Sequence, residues 1–216
     1  MREPLNQPNP KHRYVNNMFD RIAKRYDLMN TLMTAGLHRR WRRKAIELAA
    51  PPKGGLSLDV GCGTGVLGTF LRSYASALEG IDLSPDMIAV ARQSRLYDRL
   101  LEGDFTDSSD MMHQPYDILI LAAVAIHFST LDVIFEKSTY ALEENGLLAL
   151  TIFVNNRSDD FSIDSAGYFS HNVDYVKRLA TTFGFALLRE TCGTHEIRDS
   201  QSVPGAGLVF LRNPCT

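Results

Sequence analysis

The stretch LSLDVGCGTG, residues 56–65, turns the chain from helical to extended periodicity and then breaks it with three glycines. Residues 56–60 read as a short, largely apolar strand, and Val66, Leu67, Phe70 and Leu71 then recur at helical spacing. Small residues at such a turn let the backbone approach a ligand closely. The helix behind it offers free N–H groups at its positive end. A cofactor cradle follows from this strand, turn and helix. No Gly-Lys-Ser/Thr sequence accompanies the glycines, which sets the turn apart from a nucleotide-triphosphate loop.

Downstream the alternation continues. ALEGID (77–82) is a second strand ending in an acid, 17 residues beyond Gly65, where a carboxylate can accept hydrogen bonds from both hydroxyls of a ribose. Ser84 is placed to cap the next helix, with Pro85 at its first position and Asp86 near its positive end. LLEGDF (100–105) closes a third strand, and YDILILAA (116–123) is a fourth, apolar enough to be buried on both faces. LDVIFEKSTYALEENG (131–146) reads as an amphipathic helix with a glycine stop, and LLALTIFV (147–154) as a fifth strand. NNRSDDFSIDSAGYFSH (155–171) is too polar and irregular for a regular element, so a surface loop near the site is expected. VDYVKRLATTFGF (173–185) gives a further helix. FALLRET (185–191) and AGLVFLR (206–212) give strands six and seven, with antiparallel pairing at the sheet edge expected. The order demands an α/β fold, a mostly parallel sheet with helices on both faces.

Upstream, residues 1–13 carry three prolines and read as an irregular lead-in. Val15, Met18, Phe19, Ile22, Tyr26 and Met29 then form one helical stripe, and Leu37, Trp41, Ala45, Leu48 and Ala49 a second, stopped by Pro51-Pro52. Residues 1–44 hold 11 basic and 3 acidic side chains, whereas the rest of the chain is acidic. This division argues against a uniformly basic nucleic-acid binder, although one positive face is available to phosphate, an acidic substrate or an anionic membrane. The 216 residues suit one full-sized domain. Cys62, Cys192 and Cys215 are too few and too irregular for a disulfide framework or a thiolate metal site, so a reducing, cytoplasmic setting without metal is expected. The longest apolar run, Ile118–Ile126, is half what a membrane-spanning helix needs, and no secretory core opens the chain. An Arg-rich mitochondrial presequence is disfavoured by Glu3, Asp20 and Asp27.

LDVGCGTG, EGIDLS, EGDF and YDILILAA, in this order over residues 56–125, resemble the motifs of class I S-adenosylmethionine-dependent methyltransferases. The resemblance implies a Rossmann-like seven-stranded mixed sheet of order 3-2-1-4-5-7-6. It implies that S-adenosyl-L-methionine is the cofactor and S-adenosyl-L-homocysteine the product. It implies that Asp59 orders the glycine loop or approaches the cofactor ammonium, while Gly61, Gly63 and Gly65 line the methionine and ribose portion. Asp82 would hold the ribose, Asp104 the adenine amine and Phe105 the adenine face, with Leu83 and Ala122 alongside. These roles suit the side chains, since a carboxylate accepts from an amine and an aromatic face stacks on a base.

The head, VNNMFDRIAKRYDLMNTLMTAGLHRRWRRKAI (15–46), is similar to the opening of the ubiquinone/menaquinone biosynthesis C-methyltransferases, with their FDxIAxxYDxxN and GxHRxWR patterns. By that resemblance residues 1–50 form a helical lid belonging to the same domain as the core, 51–216. Tyr26 then donates to the cofactor carboxylate, and His38, Arg39 and Trp41 are lid or pocket residues; packing on the apolar stripe, or solvated helix surface for the arginines, is the competing reading. The family's phenylalanine-glycine-x-arginine-asparagine run after the fourth strand is absent; AAVAIHFSTLDVIF (122–135) stands in its place. The tail instead resembles small methyltransferases with a GRYxHS-like segment after the fifth strand, matched here by Gly167, Tyr168 and His171.

Methyl transfer from a sulfonium is an in-line displacement, so the protein must align the partners and exclude water. A phenol, enol or activated carbon also needs a base. His127 is the first candidate because it follows the fourth strand at the carboxyl edge of the sheet, with His171, Tyr168 and His38 behind it. The expected reaction is methylation of a small organic acceptor, aromatic, quinone-like or polyketide-like, at carbon or oxygen. The competing classes are RNA or protein methylation and a non-catalytic cofactor-binding assembly protein. No nucleic-acid partner is expected, a monomer or homodimer is, and a polyprenyl acceptor would bring the basic head transiently to anionic lipid.

Overall fold

The computed structural model describes residues 37–107, 115–198 and 201–214, apart from the side chains of residues 37–39. The predicted first head helix, with Tyr26, lies outside the described residues, as does the side chain of His38.

Pro51-Pro52 stop the arginine-rich segment where the periodicity requires, and helix α1 spans Leu37–Ala49. Strand β1 (Gly55–Val60) lies between β2 (Ala75–Asp82) and β4 (Tyr116–Leu121), parallel to both, and β3 (Arg99–Glu102) flanks β2. β5 (Leu142–Val154) continues the parallel set beyond β4. β9 (Gln201–Arg212) then runs antiparallel to β5, with Leu147 opposite Leu211 and Phe153 opposite Gly205. β8 (Phe185–Arg198) pairs antiparallel with β9 at the edge. The sixth and seventh predicted strands are β8 and β9, so the seven predicted strands take the order 3-2-1-4-5-7-6.

β4 shows why its sequence is apolar throughout. Ile118 and Ile120 pack with Ile46 and Ala49 of α1 and with Leu67 and Leu71 on one face of the sheet. Leu119 and Leu121 pack on the other face with Ile134, Phe135, Val176 and Ala180. Successive side chains point to opposite faces, and helices cover both. On the first face α1 is joined by the short α2 (Gly68–Leu71); on the second lie α4 (Asp132–Ala141) and α5 (Val173–Thr182). Phe135 is wholly buried against Phe183, Phe185 and Phe210, so its truncation to Ala costs about 3–5 kcal/mol. Ser84 caps α3 (Pro85–Gln93) by accepting the Met87 N–H, as its position before Pro85 predicts.

Two expectations are corrected. The helix predicted over 131–146 ends at Ala141, because Leu142 already pairs with Tyr116 and the chain bulges before Leu147 rejoins opposite Ile118. Gly146 is needed in that bulge: a Cβ there would stand 2.8 Å from the Glu143 carbonyl oxygen. The segment read as a surface loop contains a hairpin, β6 (Phe161–Ile163) with β7 (Phe169–His171). β7 extends the sheet by pairing Ser170 and His171 with Phe153 and Val154 at the end of β5. Strands of three residues are too short to show alternation in a polar context.

Candidate functional site

The carboxyl ends of β1, β2 and β4 open onto one cavity of about 330 Å³, within the range of small-molecule sites. Its rim begins at the glycine turn. Gly61 has φ +67°, and a Cβ there would lie 2.5 Å from Cγ2 of Val124, so this position tolerates no side chain. Gly63, at φ +55°, has nothing within 4 Å of a notional Cβ; here backbone conformation and open space set the requirement. The Gly61 and Cys62 N–H groups donate to the Ile81 carbonyl and lock the turn onto β2.

Asp82 joins the turn to the next helix. Its Oδ2 accepts the Gly63 N–H at 2.8 Å and its Oδ1 the Ser84 N–H at 2.9 Å. Asp104 shapes the loop after β3 by accepting the N–H and hydroxyl of Thr106 at 2.8 and 2.7 Å. Gly61, Gly63, Asp82, Leu83, Asp104, Phe105, Ala122 and His127 all line the cavity. Phe105 also belongs to the hydrophobic core, which holds its ring in place.

Asp59 and Gly65 stand elsewhere. Asp59 is 2% exposed and lies behind the lining, where its Oδ2 accepts the Tyr97 hydroxyl at 2.6 Å. Burial raises its pKa to about 7, against the opposing effects of that hydrogen bond and of the Arg42 charge. The Tyr97 hydroxyl also accepts the Gly68 N–H. A Cβ on Gly65, Gly68 or Gly80 would meet the Tyr97 ring at 3.1, 2.8 and 3.0 Å respectively, so these three glycines form a slot for one tyrosine. Gly63, Gly65 and Gly68 also have the spacing of a Gly-x-Gly-x-x-Gly run. Glycine spacing alone therefore leaves dinucleotide binding open, and the third glycine here serves packing.

His127, the first candidate base, lines the cavity from the end of a 3-10 turn, Ala125–His127, in the segment that follows β4. The Tyr168 ring meets its imidazole edge to face, with centroids 5.7 Å apart. His171 does not reach the cavity: it is 0% exposed, stacked on Tyr175, with Nε2 3.0 Å from the Phe128 carbonyl. Burial lowers its pKa despite that backbone contact, a setting for a structural strut rather than a proton shuttle.

Three contributors escaped the sequence reading. Arg42 is the sole cation among the described residues lining the cavity, although its place in an arginine run suggested a solvated surface. Tyr97 supports the glycine turn from a point 38 residues beyond Asp59. His195, on β8, stacks on Trp41 at 5.2 Å and meets Phe153 edge to face at 4.9 Å. Trp41 Nε1 donates to the Thr194 carbonyl at 2.6 Å, so α1 is pinned to β8 across 153 residues. No local motif announces any of these partnerships.

The sheet order and a cavity at the carboxyl edge define the class I methyltransferase fold. Over 94% of the chain and 100% of its counterpart, the fold superposes on magnesium protoporphyrin IX methyltransferase from Synechocystis PCC 6803, solved with bound S-adenosylhomocysteine, at a TM-score of 0.73 and 15% identity. The profile of the ubiE/COQ5 methyltransferase family matches residues 7–128, and the chain belongs to that family. The demethylmenaquinone methyltransferase of Roseiflexus castenholzii is 54% identical over 61 residues, 28% of this chain and 26% of that protein. The Thermus thermophilus protein of the same name is 39% identical over 113 residues, 51% of this chain and 50% of that protein. The chain thus spans half or less of these curated relatives. The family match ends at Phe128, one residue beyond His127, so Tyr168, His195 and the β6–β7 and β8–β9 hairpins lie outside it.

The residues present fit S-adenosylmethionine. The open side of Gly63, two carboxylates at strand ends, the Phe105 ring and the Arg42 guanidinium meet the needs of a ribose, an adenine and an amino-acid carboxylate. Among the described residues no cluster of three or more metal-ligating side chains occurs, and no helix is long and apolar enough to cross a membrane.

Proposed function

We propose that the chain transfers a methyl group from S-adenosylmethionine to a small organic acceptor bearing an aromatic, quinone-like or polyketide-like ring. The observation that carries this reading is the arrangement of Asp82, tied to Gly63, and His127 on the walls of one cavity. When bound, S-adenosylmethionine supplies an electrophilic sulfonium methyl group.

Asp82 has two oxygens and four lone-pair directions, so it holds the glycine turn and the ribose hydroxyls together. Asp104 and Phe105 take the adenine. Arg42 takes the amino-acid carboxylate, and Asp59 orders the turn from behind through Tyr97. His127 accepts the acceptor's hydroxyl or carbon-bound proton as the methyl group is transferred, and Tyr168 fixes the imidazole's orientation. Val133, Ile134 and Phe128 keep water from the reacting centre.

Residues 1–50 are read as the lid of this domain, a reading supported by Arg42 reaching the cavity from α1. When the acceptor carries an isoprenoid tail, the excess positive charge of residues 1–44 favours contact with an anionic membrane surface. A cytoplasmic monomer or homodimer acting on small molecules rather than nucleic acid completes the proposal. Calorimetry with S-adenosylhomocysteine, followed by turnover with reduced naphthoquinols, tests it: binding with turnover supports the reading, and no binding by the intact chain refutes it.

A further inference from the structure

Two hairpins outside the family match meet at one guanidinium. Arg198, at the end of β8, donates from Nε and Nη2 to Glu196 and from Nη1 to Asp164. The same group lies 5.0 Å from the Tyr168 ring centroid and 5.6 Å from that of Phe153. Asp164 is more than a counter-ion. Its Oδ1 accepts the N–H groups of Ala166 and Tyr168, each at 2.9 Å, and its backbone closes the turn with Tyr168 and Gly167. One carboxylate therefore builds the turn that presents Tyr168 and anchors the cation that covers its ring. Tyr168 in turn meets His127.

We propose that Arg198 is a positioning residue, holding the β6–β7 hairpin so that Tyr168, behind the cavity lining and backed by the buried Phe153, fixes the imidazole of His127 on the cavity wall. The role rests on the methyl-transfer reading of the cavity, in which His127 meets the acceptor, and extends it to the residues that hold His127 from behind. Arginine is suited to it because a planar fork spans two carboxylates while stacking on aromatic faces, which a lysine ammonium cannot do together. Asp164 and Arg198 are partly exposed, so the pair adds little to global stability. Its effect is on placement of the hairpin.

The test uses the full chain saturated with S-adenosylhomocysteine and 1,4-dihydroxynaphthalene, kept reduced, as the ring probe. Arg198→Met is expected to weaken probe affinity about tenfold and Tyr168→Ala by a similar factor, while the double variant is no weaker than either single one. Arg198→Lys recovers part of the loss, and affinity for S-adenosylhomocysteine stays within about twofold throughout. Wild-type probe affinity in Arg198→Met, or multiplied losses in the double variant, would overturn the role. Failure of the wild type to bind S-adenosylhomocysteine would instead strike the donor reading and remove the basis for this role. Donor binding without probe binding by the wild type would overturn the role of His127 and its supports toward a ring acceptor.

Discussion

The Tyr97 hydroxyl donates to the buried carboxylate of Asp59 at 2.6 Å while accepting the Gly68 N–H at 3.2 Å. This bond fixes the rear of the glycine turn, because the same ring occupies the slot left by Gly65, Gly68 and Gly80. The turn is thus shaped from behind by a side chain that is not itself part of the cavity lining.

Tyr97→Phe keeps the ring and removes the hydroxyl, leaving Asp59 without that donor. A loss of about 1–3 kcal/mol in unfolding free energy is expected, measured by urea denaturation at constant pH. An unchanged denaturation midpoint would mean that the hydrogen bond has no structural weight.

Asp59 also makes stability depend on pH. Its folded pKa is raised to about 7 by burial, above the usual carboxylate value near 4. Between those limits the unfolded chain has lost the proton and the folded chain has kept it, so stability falls as pH rises. The total is on the order of 4 kcal/mol, spread over about pH 4 to 7. Asp59→Asn should flatten this part of a series of urea titrations taken at successive pH values.

Donor binding and chemistry should separate between Asp82 and His127. Asp82→Ala removes the acceptor for Gly63 and Ser84 and is expected to weaken S-adenosylhomocysteine binding about 10- to 100-fold in calorimetry. His127→Ala should leave that affinity near the wild-type value and lower the transfer rate about 100-fold or more. Equal effects of the two changes on both quantities would undo the division of roles.

Much of the cavity lining was legible in the chain because its residues lie where successive strands end. Gly61, Gly63, Asp82, Asp104 and Ala122 follow one another in sequence at the carboxyl edge, and element order carries them to one cavity. Partnerships across the chain left no such trace. Trp41 and Thr194, or Tyr97 and Asp59, are joined by tertiary packing alone. His171 looked chemical because it matches a GRYxHS-like segment after the fifth strand, yet alternation in β7 turns it inward to 0% exposure. Glu143 to Gly146 looked helical by composition, but pairing of Leu142 with Tyr116 overrides that tendency.

His195 supplies an optical test of the contact between α1 and β8. Burial, and then the nearby charges of Arg42 and Arg198, lower its pKa to about 4, so it is neutral in the folded protein at neutral pH. Below about pH 6.5 the unfolded chain takes up the proton first, and folding stability declines toward pH 4 by on the order of 3 kcal/mol. Trp41, the chain's 1 tryptophan, stacks on this ring. Its fluorescence should be quenched with a midpoint near pH 4 rather than 6.5, and His195→Phe should abolish the transition.

The most direct measurement is transfer of label from methyl-labelled S-adenosylmethionine to a native low-molecular-weight extract, followed by mass identification of the labelled products. Methyl transfer to a small ring acceptor requires a labelled small molecule with a planar, oxygenated ring, formed by the wild type and lost in Asp82→Ala and His127→Ala. Label found only on RNA or protein, or no transfer by a chain that binds S-adenosylhomocysteine, would contradict it.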